Sequence, residues 1–461
     1  MTDPAAVGTN SDDIAEIGDT DPTVDQSSAT PSVISRNAYR YALTSMSVTL
    51  ATIVPLFRQT DNRSWRTVWA EDGYIYFEQA KQHGALAVLF RGYAGYLQLP
   101  PRLLGALSTT IPIRSLSIYY AFSATFVGAL LAWFTYSFSD GWIHSRPVRF
   151  ALASLVVLMP ALGFENTANA TDLIWVFVAV APWALISLSE RPLDIVIRAV
   201  VAFLAATATP LTVLFLPLAI GYAFIRKTRA TLIVTAIFCL GIVTQLLVVL
   251  HTTSAPRVPP PTWPLLKASA VRVFAMFLIG DKGTSWAWND HQGLLIVAST
   301  VGVAAIFATL IPGAGRAARI LAAVLGASSV MAFILPARQR GLTNLLLGLT
   351  NAYHPEFLRF SVVPVMLLAS AVAVLVAPKA RAASGRIASA ARVAFVAQVA
   401  VLTLVGFSVT NYRSTMYSWT GSLTRTYDKK CLNQRLDKVV KIQTDPLGYW
   451  PVTLPCRDIA P

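Results

Sequence analysis

IVIRAVVAFLAATATPLTVLFLPLAIGYAFIR, residues 195–226, decides how this chain is threaded. As one helix kinked at Thr209-Pro210, the stretch crosses a bilayer once. As two short helices, 195–208 and 210–226, it crosses twice and returns. Proline removes a backbone donor and clashes with the preceding turn, so it either kinks a helix or ends it. Arg198 lies near one end of the stretch and Arg226 with Lys227 at the other. Short cytoplasmic loops collect Lys and Arg. Two passes put both basic ends on one side, and one pass puts them on opposite sides.

The rest of the chain argues for two passes. Hydrophobic residues make up 55% of its 461 positions and charged residues 13%, more apolar surface than a soluble fold hides. Crossing about 30 Å of hydrocarbon takes roughly 20 apolar residues of helix. The apolar runs are continuous rather than alternating, which points to helices and not a barrel. Candidate spans are 37–57, 116–138, 148–163, 173–189, 195–208, 210–226, 230–250, 292–311, 319–336, 359–377 and 392–410, about eleven in all. Between them lie short basic segments: Arg36 and Arg40, Arg146 and Arg149, Arg191 and Arg198, Arg226 to Arg229, Arg316 and Arg319, and Lys379 to Arg392. All of these share one side only if the opening stretch crosses twice.

The expectation is therefore an all-α polytopic protein of the plasma membrane. Its N-terminus is cytoplasmic, its C-terminus is external, and residues 37–410 form the membrane domain. The long connections 58–115, 251–291 and 337–358 and the tail 411–461 then gather outside. Long loops translocate regardless of charge, and loops of this length are uncommon unless functional. Residues 1–36 read as a disordered cytoplasmic tail: Asp3, Asp12, Asp13, Glu16, Asp19, Asp21 and Asp25 precede the first arginine. The tail has neither the basic nor the apolar region of a signal peptide. The net charge of +14 fits anchoring loops and contact with the lipid bilayer. No nucleic-acid module is apparent.

Within the first external loop, W-A-E-D-G at 69–73 sets Glu71 and Asp72 side by side among aromatics. Residues 74–90 then suit a helix lying in the membrane interface, and 91–105, rich in Gly, Tyr and Pro, a re-entry to the second span. An aromatic belt accounts for Trp65, Trp69, Tyr93 and Tyr96, but not for the paired acids. A second acidic turn, 165–172, carries Glu165, Asn166, Asn169 and Asp172. Asp172 suits a helix cap; Glu165 and Asn169 suit hydrogen bonds to sugar hydroxyls. In 251–291 a stiff proline run precedes a polar, Trp-rich stretch with Trp286, suited either to stacking on a sugar or to anchoring in the interface. Arg338, Arg340, His354 and Arg359 lie outside against the charge trend, and arginine grips phosphate with two parallel bonds. Cys431 and Cys456, both in the external tail, read as a disulfide closing a small lobe, whereas Cys239 lies in a span. No phosphate loop, zinc motif or nucleophile elbow is present.

On these residues the chain resembles the GT-C glycosyltransferases, polytopic enzymes that use polyprenyl- or dolichyl-phosphate sugars. Glu71-Asp72 followed by 74–90 is similar to the family's first external loop, with its acid and juxtamembrane helix. The stretch R-F-S-V-V-P from Arg359, and the C-terminal region with Trp419, Cys431 and P-L-G-Y-W-P-V-T-L-P-C to Cys456, are similar to actinobacterial membrane proteins of this type. The large soluble C-terminal domain of many members is replaced by about fifty residues. The resemblance implies a polyprenyl-phosphate sugar donor, a glycan or lipid acceptor, and transfer with inversion. Asp72 or Glu71 would be the general base. Arg359, with Arg102 or Arg340, would steady the leaving phosphate, while His354, Glu165, Asn169 and Trp286 would contact substrate. A divalent cation at the acids stays open, although two adjacent carboxylates supply too few ligands alone. Two other classes compete: a transporter or flippase, which calls for inverted repeats and midplane charges, and a non-catalytic envelope scaffold.

Overall fold

The computed structural model describes residues 33–60, 63–159, 167–252, 260–341, 359–377, 386–409, 417–446 and 448–460. The expected tail over 1–36 lies almost wholly outside them. The described residues divide within the first helix into two compact units, 33–45 and 46–460.

Helix occurs in each of the expected spans. α1 is Val33–Ile53, α4 Leu116–Phe138, α5 Arg146–Leu158, α6 Leu173–Ile186, α7 Pro192–Ala206, α8 Leu216–Arg226 and α9 Arg229–His251. α11 is Met276–Leu310, α12 Arg316–Gln339, α13 Arg359–Val376 and α14 Arg386–Val405. Among the described residues six helical stretches are long and apolar enough to cross a membrane, and three shorter apolar ones accompany them. Leu232, Leu240, Val243, Leu247 and Leu250 of α9 and Val393, Val401 and Leu404 of α14 are exposed. Outward faces of this kind are stable against hydrocarbon, not water, so the fold is that of a membrane protein. At the centre stand α6, buried at every residue, and α13, buried from Phe360 onward. A helix apolar on all sides belongs in the interior.

The opening stretch forms two helices. Thr209 is extended, with φ −161° and ψ 151°, and its hydroxyl accepts from Leu211 N. The residue before a proline avoids helical backbone, so Thr209 ends α7 and caps the turn that leads into α8. The two basic ends meet on the same side of the bundle. Trp142, just before α5, packs its ring 6.2 Å from that of Tyr222, one turn before Arg226. Its Nε1 donates to Ile186 O at 2.9 Å, and Arg198 donates to Ala184 O and Ser189 O at 2.9 and 2.7 Å.

The opposite end carries the long connections, and two of them differ from expectation. The interfacial helix is shorter and starts earlier than 74–90: a wide π turn, Asp72–Phe77, runs into α2, Glu78–His83. Gly84, at φ 91°, stops it. The re-entry contains α3, Leu99–Ser108. The expected loop 251–291 is largely helix. α10, Thr262–Ser269, continues through a second π turn, Ala270–Ala275, into α11, which breaks at Gly280 (φ 72°) and again at His291. Polar residues at a membrane edge keep helical hydrogen bonds, because the backbone has no better partner there. The end of α14 is fastened by cations: Lys282 Nζ donates to Val405 O, and Arg58 to Gly406 O and Phe407 O. Basic side chains at a helix C-terminus satisfy its last carbonyls.

The C-terminal lobe comprises α15 (Trp419–Lys430), a hairpin of β1 (Val439–Ile442) and β2 (Val452–Pro455) in the register Val439↔Pro455, and α16 (Cys456–Ile459). The expected Cys431–Cys456 disulfide is present. The lobe packs against the first long loop. Val68, Phe77 and Leu116 share a buried cluster with Val440, Val452, Leu454 and Cys456. Trp419 Nε1 donates to Ile113 O at 2.6 Å, Thr453 N to Glu78 Oε2 at 2.7 Å, and Lys81 pairs with Asp458 at 3.3 Å.

Candidate functional site

The C-terminal lobe fixes the W-A-E-D-G segment in space. Trp69 pairs with Asp445 as a short parallel bridge; Asp445 N donates to Val68 O at 3.0 Å, and Ala70 N donates to Asp445 O. Ala70 is held at φ 28°, a region that residues with side chains seldom enter. Asp72 N donates to Trp69 O at 2.8 Å and the π turn begins. Extra-wide turns of this kind concentrate at functional sites. The turn is tightly enclosed: a Cβ on Gly73 would lie 2.7 Å from Val452 Cγ2 and 2.9 Å from Val68 Cγ1.

The two adjacent acids point to different surroundings. Asp72 is completely buried. Its Oδ2 accepts from Ala170 N at 2.9 Å, and its Oδ1 from Thr171 N at 2.9 Å and Thr171 Oγ1 at 2.7 Å. Burial, with a smaller push from the Glu71 charge, raises Asp72 to about 7 against the pull of these donors. Asp72 thus ties the first acidic turn to the second. Glu71 is only partly covered. Tyr93 OH donates to its Oε1 at 3.5 Å. Burial raises Glu71 above the usual carboxylate range, while Arg359, Tyr93 and Arg340 draw it down.

Around Glu71 the ends of several helices converge. Asn169 Oδ1 accepts from Asp172 N at 2.9 Å, and Asp172 Oδ1 accepts from Trp175 Nε1 at 3.1 Å. Asp172 stands at the start of α6. Burial raises it, Arg359 lowers it, and Glu71 and Asp72 push it up again. Arg340 at the end of α12 and Arg359 at the start of α13 flank one ring, with guanidinium carbons 5.8 and 5.4 Å from the Phe360 centroid. That ring lies edge-on to Trp175 at 5.6 Å. Tyr93 and Tyr96 form a tight turn, exchanging backbone bonds of 2.9 and 3.2 Å across Ala94 and Gly95, both at positive φ. Arg340 Nη2 donates to Tyr96 OH at 3.3 Å. One turn therefore links Glu71, through Tyr93, to Arg340, through Tyr96.

Of the residues singled out in the sequence, Glu71, Asp72, Asn169, Arg340 and Arg359 come together. Arg102 lies beyond Tyr76, over whose ring it sits at 5.9 Å. Trp286 is 68% exposed on α11, and no bond or ring contact joins it to this group. His354 and Glu165 lie outside the described residues. Asp172, Tyr93, Tyr96, Trp175 and Phe360 belong to the group without having been singled out as its members. Their signals were present in the G-Y-A-G-Y turn and in an acid three residues before a tryptophan, but each has an ordinary reading as a belt or a cap. Among the described residues no group of three His, Cys, Asp or Glu is arranged to hold a metal ion. Compared with family models and with curated proteins, the chain matches none.

The arrangement offers a partly open carboxylate facing two cations, with aromatic walls, at the ends of membrane helices. Such a site can accept a proton and steady a developing negative charge a short distance away.

Proposed function

We propose that the protein is a membrane glycosyltransferase of the GT-C type, with about eleven crossings and the Glu71 end facing outward. It moves a sugar from a polyprenyl-phosphate donor to a glycan or lipid acceptor. The observation that carries the reading is the placement of Glu71, partly open and under the charges of Arg359 and Arg340 at the mouths of α13 and α12.

Glu71 acts as the general base. Burial makes Glu71 a stronger base than an exposed carboxylate, and Arg359, Tyr93 and Arg340 offset part of that rise. It takes the proton of the acceptor hydroxyl as that oxygen bonds to the anomeric carbon. The bond from that carbon to the phosphate oxygen breaks, and the electron pair leaves on the lipid phosphate. Arg359 and Arg340 stabilise this charge, so the leaving group needs no proton. Tyr93, half-buried, offers its hydroxyl to the sugar, while the buried rings of Trp175, Phe360 and Tyr96 back the two arginines. Asp72 is a positioning residue, since its oxygens are occupied by Ala170 and Thr171. A divalent cation could join Glu71 and Asp172 only with ligands from substrate or solvent.

The test is transfer from a radiolabelled polyprenyl-phosphate sugar in membranes carrying wild type or Glu71→Gln. The variant should lose about 100-fold or more of the rate while the protein stays folded. Wild-type rates in Glu71→Gln would remove the base from the scheme.

A further inference from the structure

The outward face of the Asp72–Phe77 turn carries more than Glu71. Asp72, Gly73, Ile75, Tyr76 and Phe77 are buried, whereas Glu71 is partly open and Tyr74 is 39% exposed. Side chains three apart along a helical turn are neighbours, so the acid and the phenol ring share one open face. The C-terminal lobe brings a second ring to it. Trp450, half-buried, lies 5.9 Å from Tyr74 between centroids, at 55°. Rings tilted in this way leave surface open that a face-to-face stack would close. Both rings are held in place. Trp450 packs against the Trp69–Ala70 pair. Thr444 Oγ1 donates to Trp450 O, and Gly448 N donates to Gln443 Oε1 at 3.2 Å. The bridge of Trp69 to Asp445 ties that turn of the lobe to the segment carrying Glu71.

We propose that Tyr74 and Trp450 form an acceptor platform, on which one sugar ring stacks while the next presents its hydroxyl to Glu71. The acceptor is then a glycan longer than one sugar, not a lipid. The assignment rests on Glu71 being the base of the transfer. Tyrosine and tryptophan supply large, rigid, amphipathic contact surface at low entropy cost. The C–H face of a sugar ring suits the negative face of an aromatic one. The setting fits a saccharide better than a lipid tail. Trp450 sits on a turn of the lobe whose Gln443 is exposed and whose polar groups bond one another. A ring that merely anchors the protein in the membrane interface needs no such partner from the far end of the chain. The platform also gives the C-terminal lobe a task, since its docking on the first long loop is what brings Trp450 to Tyr74.

The experiment uses full-length protein in detergent. The probes are oligosaccharides released from the host's envelope polysaccharide by partial acid hydrolysis, separated by length and tagged with a fluorophore at the reducing end. Fluorescence anisotropy reads binding without turnover, in wild type and in Glu71→Gln, so a failed base and a failed platform give different results. Disaccharides and longer chains should bind, with the monosaccharide about tenfold weaker or more. Tyr74→Leu and Trp450→Leu should each weaken binding about tenfold. Tyr74→Phe keeps the ring and should bind within about twofold of wild type. In the transfer assay Tyr74→Leu should raise the acceptor KM about tenfold with kcat little changed. Tyr74 is exposed, so its variants decide the matter even if Trp450→Leu does not fold. The proposal is overturned if wild type binds no saccharide of any length, if Tyr74→Leu binds as well as wild type, or if Tyr74→Phe loses binding as fully as Tyr74→Leu. Sugar transfer to bilayer lipid at equal rates in wild type and Tyr74→Leu would overturn it as well.

Discussion

Two groups of arginines, one at each end of the helical bundle, are used in opposite ways. At the basic end, buried Arg198 donates to the carbonyls of Ala184 and Ser189, and Arg149 donates to Tyr136 O at 3.1 Å while covering its ring. Asp194 there accepts from Ser189 Oγ. Charge is absorbed by backbone and near neighbours, and it joins helix ends. At the other end, Arg340 and Arg359 share Phe360 and act on Glu71 and Asp172. Three carboxylates are held within one another's influence, at a cost in stability, since buried like charges resist ionisation. An end that only fastens helices has no need of such a group.

That contrast can be broken by exchanging roles. Arg359→Gln should lower sugar transfer about 100-fold, the scale for losing one stabilising contact to a developing anion. Its melting temperature should change little. Arg198→Gln should do the reverse, removing two bonds to buried carbonyls and about 1–3 kcal/mol of stability, with transfer per folded molecule unchanged. Thermal unfolding in detergent, run beside the transfer assay, separates the two. Equal loss of rate in both variants would mean that the ends are not distinct.

A smaller effect sharpens the role of Asp72. Asp72→Asn presents an amide N–H₂ to a backbone N–H or leaves one donor unmatched, at about 1–3 kcal/mol. The pH dependence is specific. Burial raises Asp72 in the folded protein to about 7, above its unfolded value of about 4. Its contribution to stability is therefore present below about pH 4 and is lost as pH rises through about 7. The wild-type melting temperature should fall across that window, and Asp72→Asn should flatten the fall. An unchanged slope would show that Asp72 is not the titrating group.

Much of the fold was legible in the sequence because hydrocarbon imposes simple rules. The limits of 116–138 and the break at Thr209-Pro210 follow from apolar length and from proline. The polar stretch 279–292 was not legible: its composition reads as loop, yet the membrane edge favours a kinked helix. Within the candidate site, Glu71, Asp72, Arg340 and Arg359 stood out as charges in an apolar chain. The division of labour between the adjacent acids did not, because it depends on Ala170 and Thr171, about a hundred residues away. The bridge of Trp69 to Asp445 is longer in range still; local pattern carries no trace of a pairing that the tertiary fold alone creates.

The central claim is that Glu71 moves the proton while Arg359 holds the phosphate. Donor binding and sugar transfer, measured in parallel on Glu71→Gln and Arg359→Gln with a labelled polyprenyl-phosphate sugar, test it most directly. The account predicts that Glu71→Gln binds donor within about twofold of wild type yet transfers at about 1% of its rate or less, whereas Arg359→Gln loses binding as well. Near-normal transfer by Glu71→Gln, or donor binding lost in it as fully as in Arg359→Gln, would contradict it.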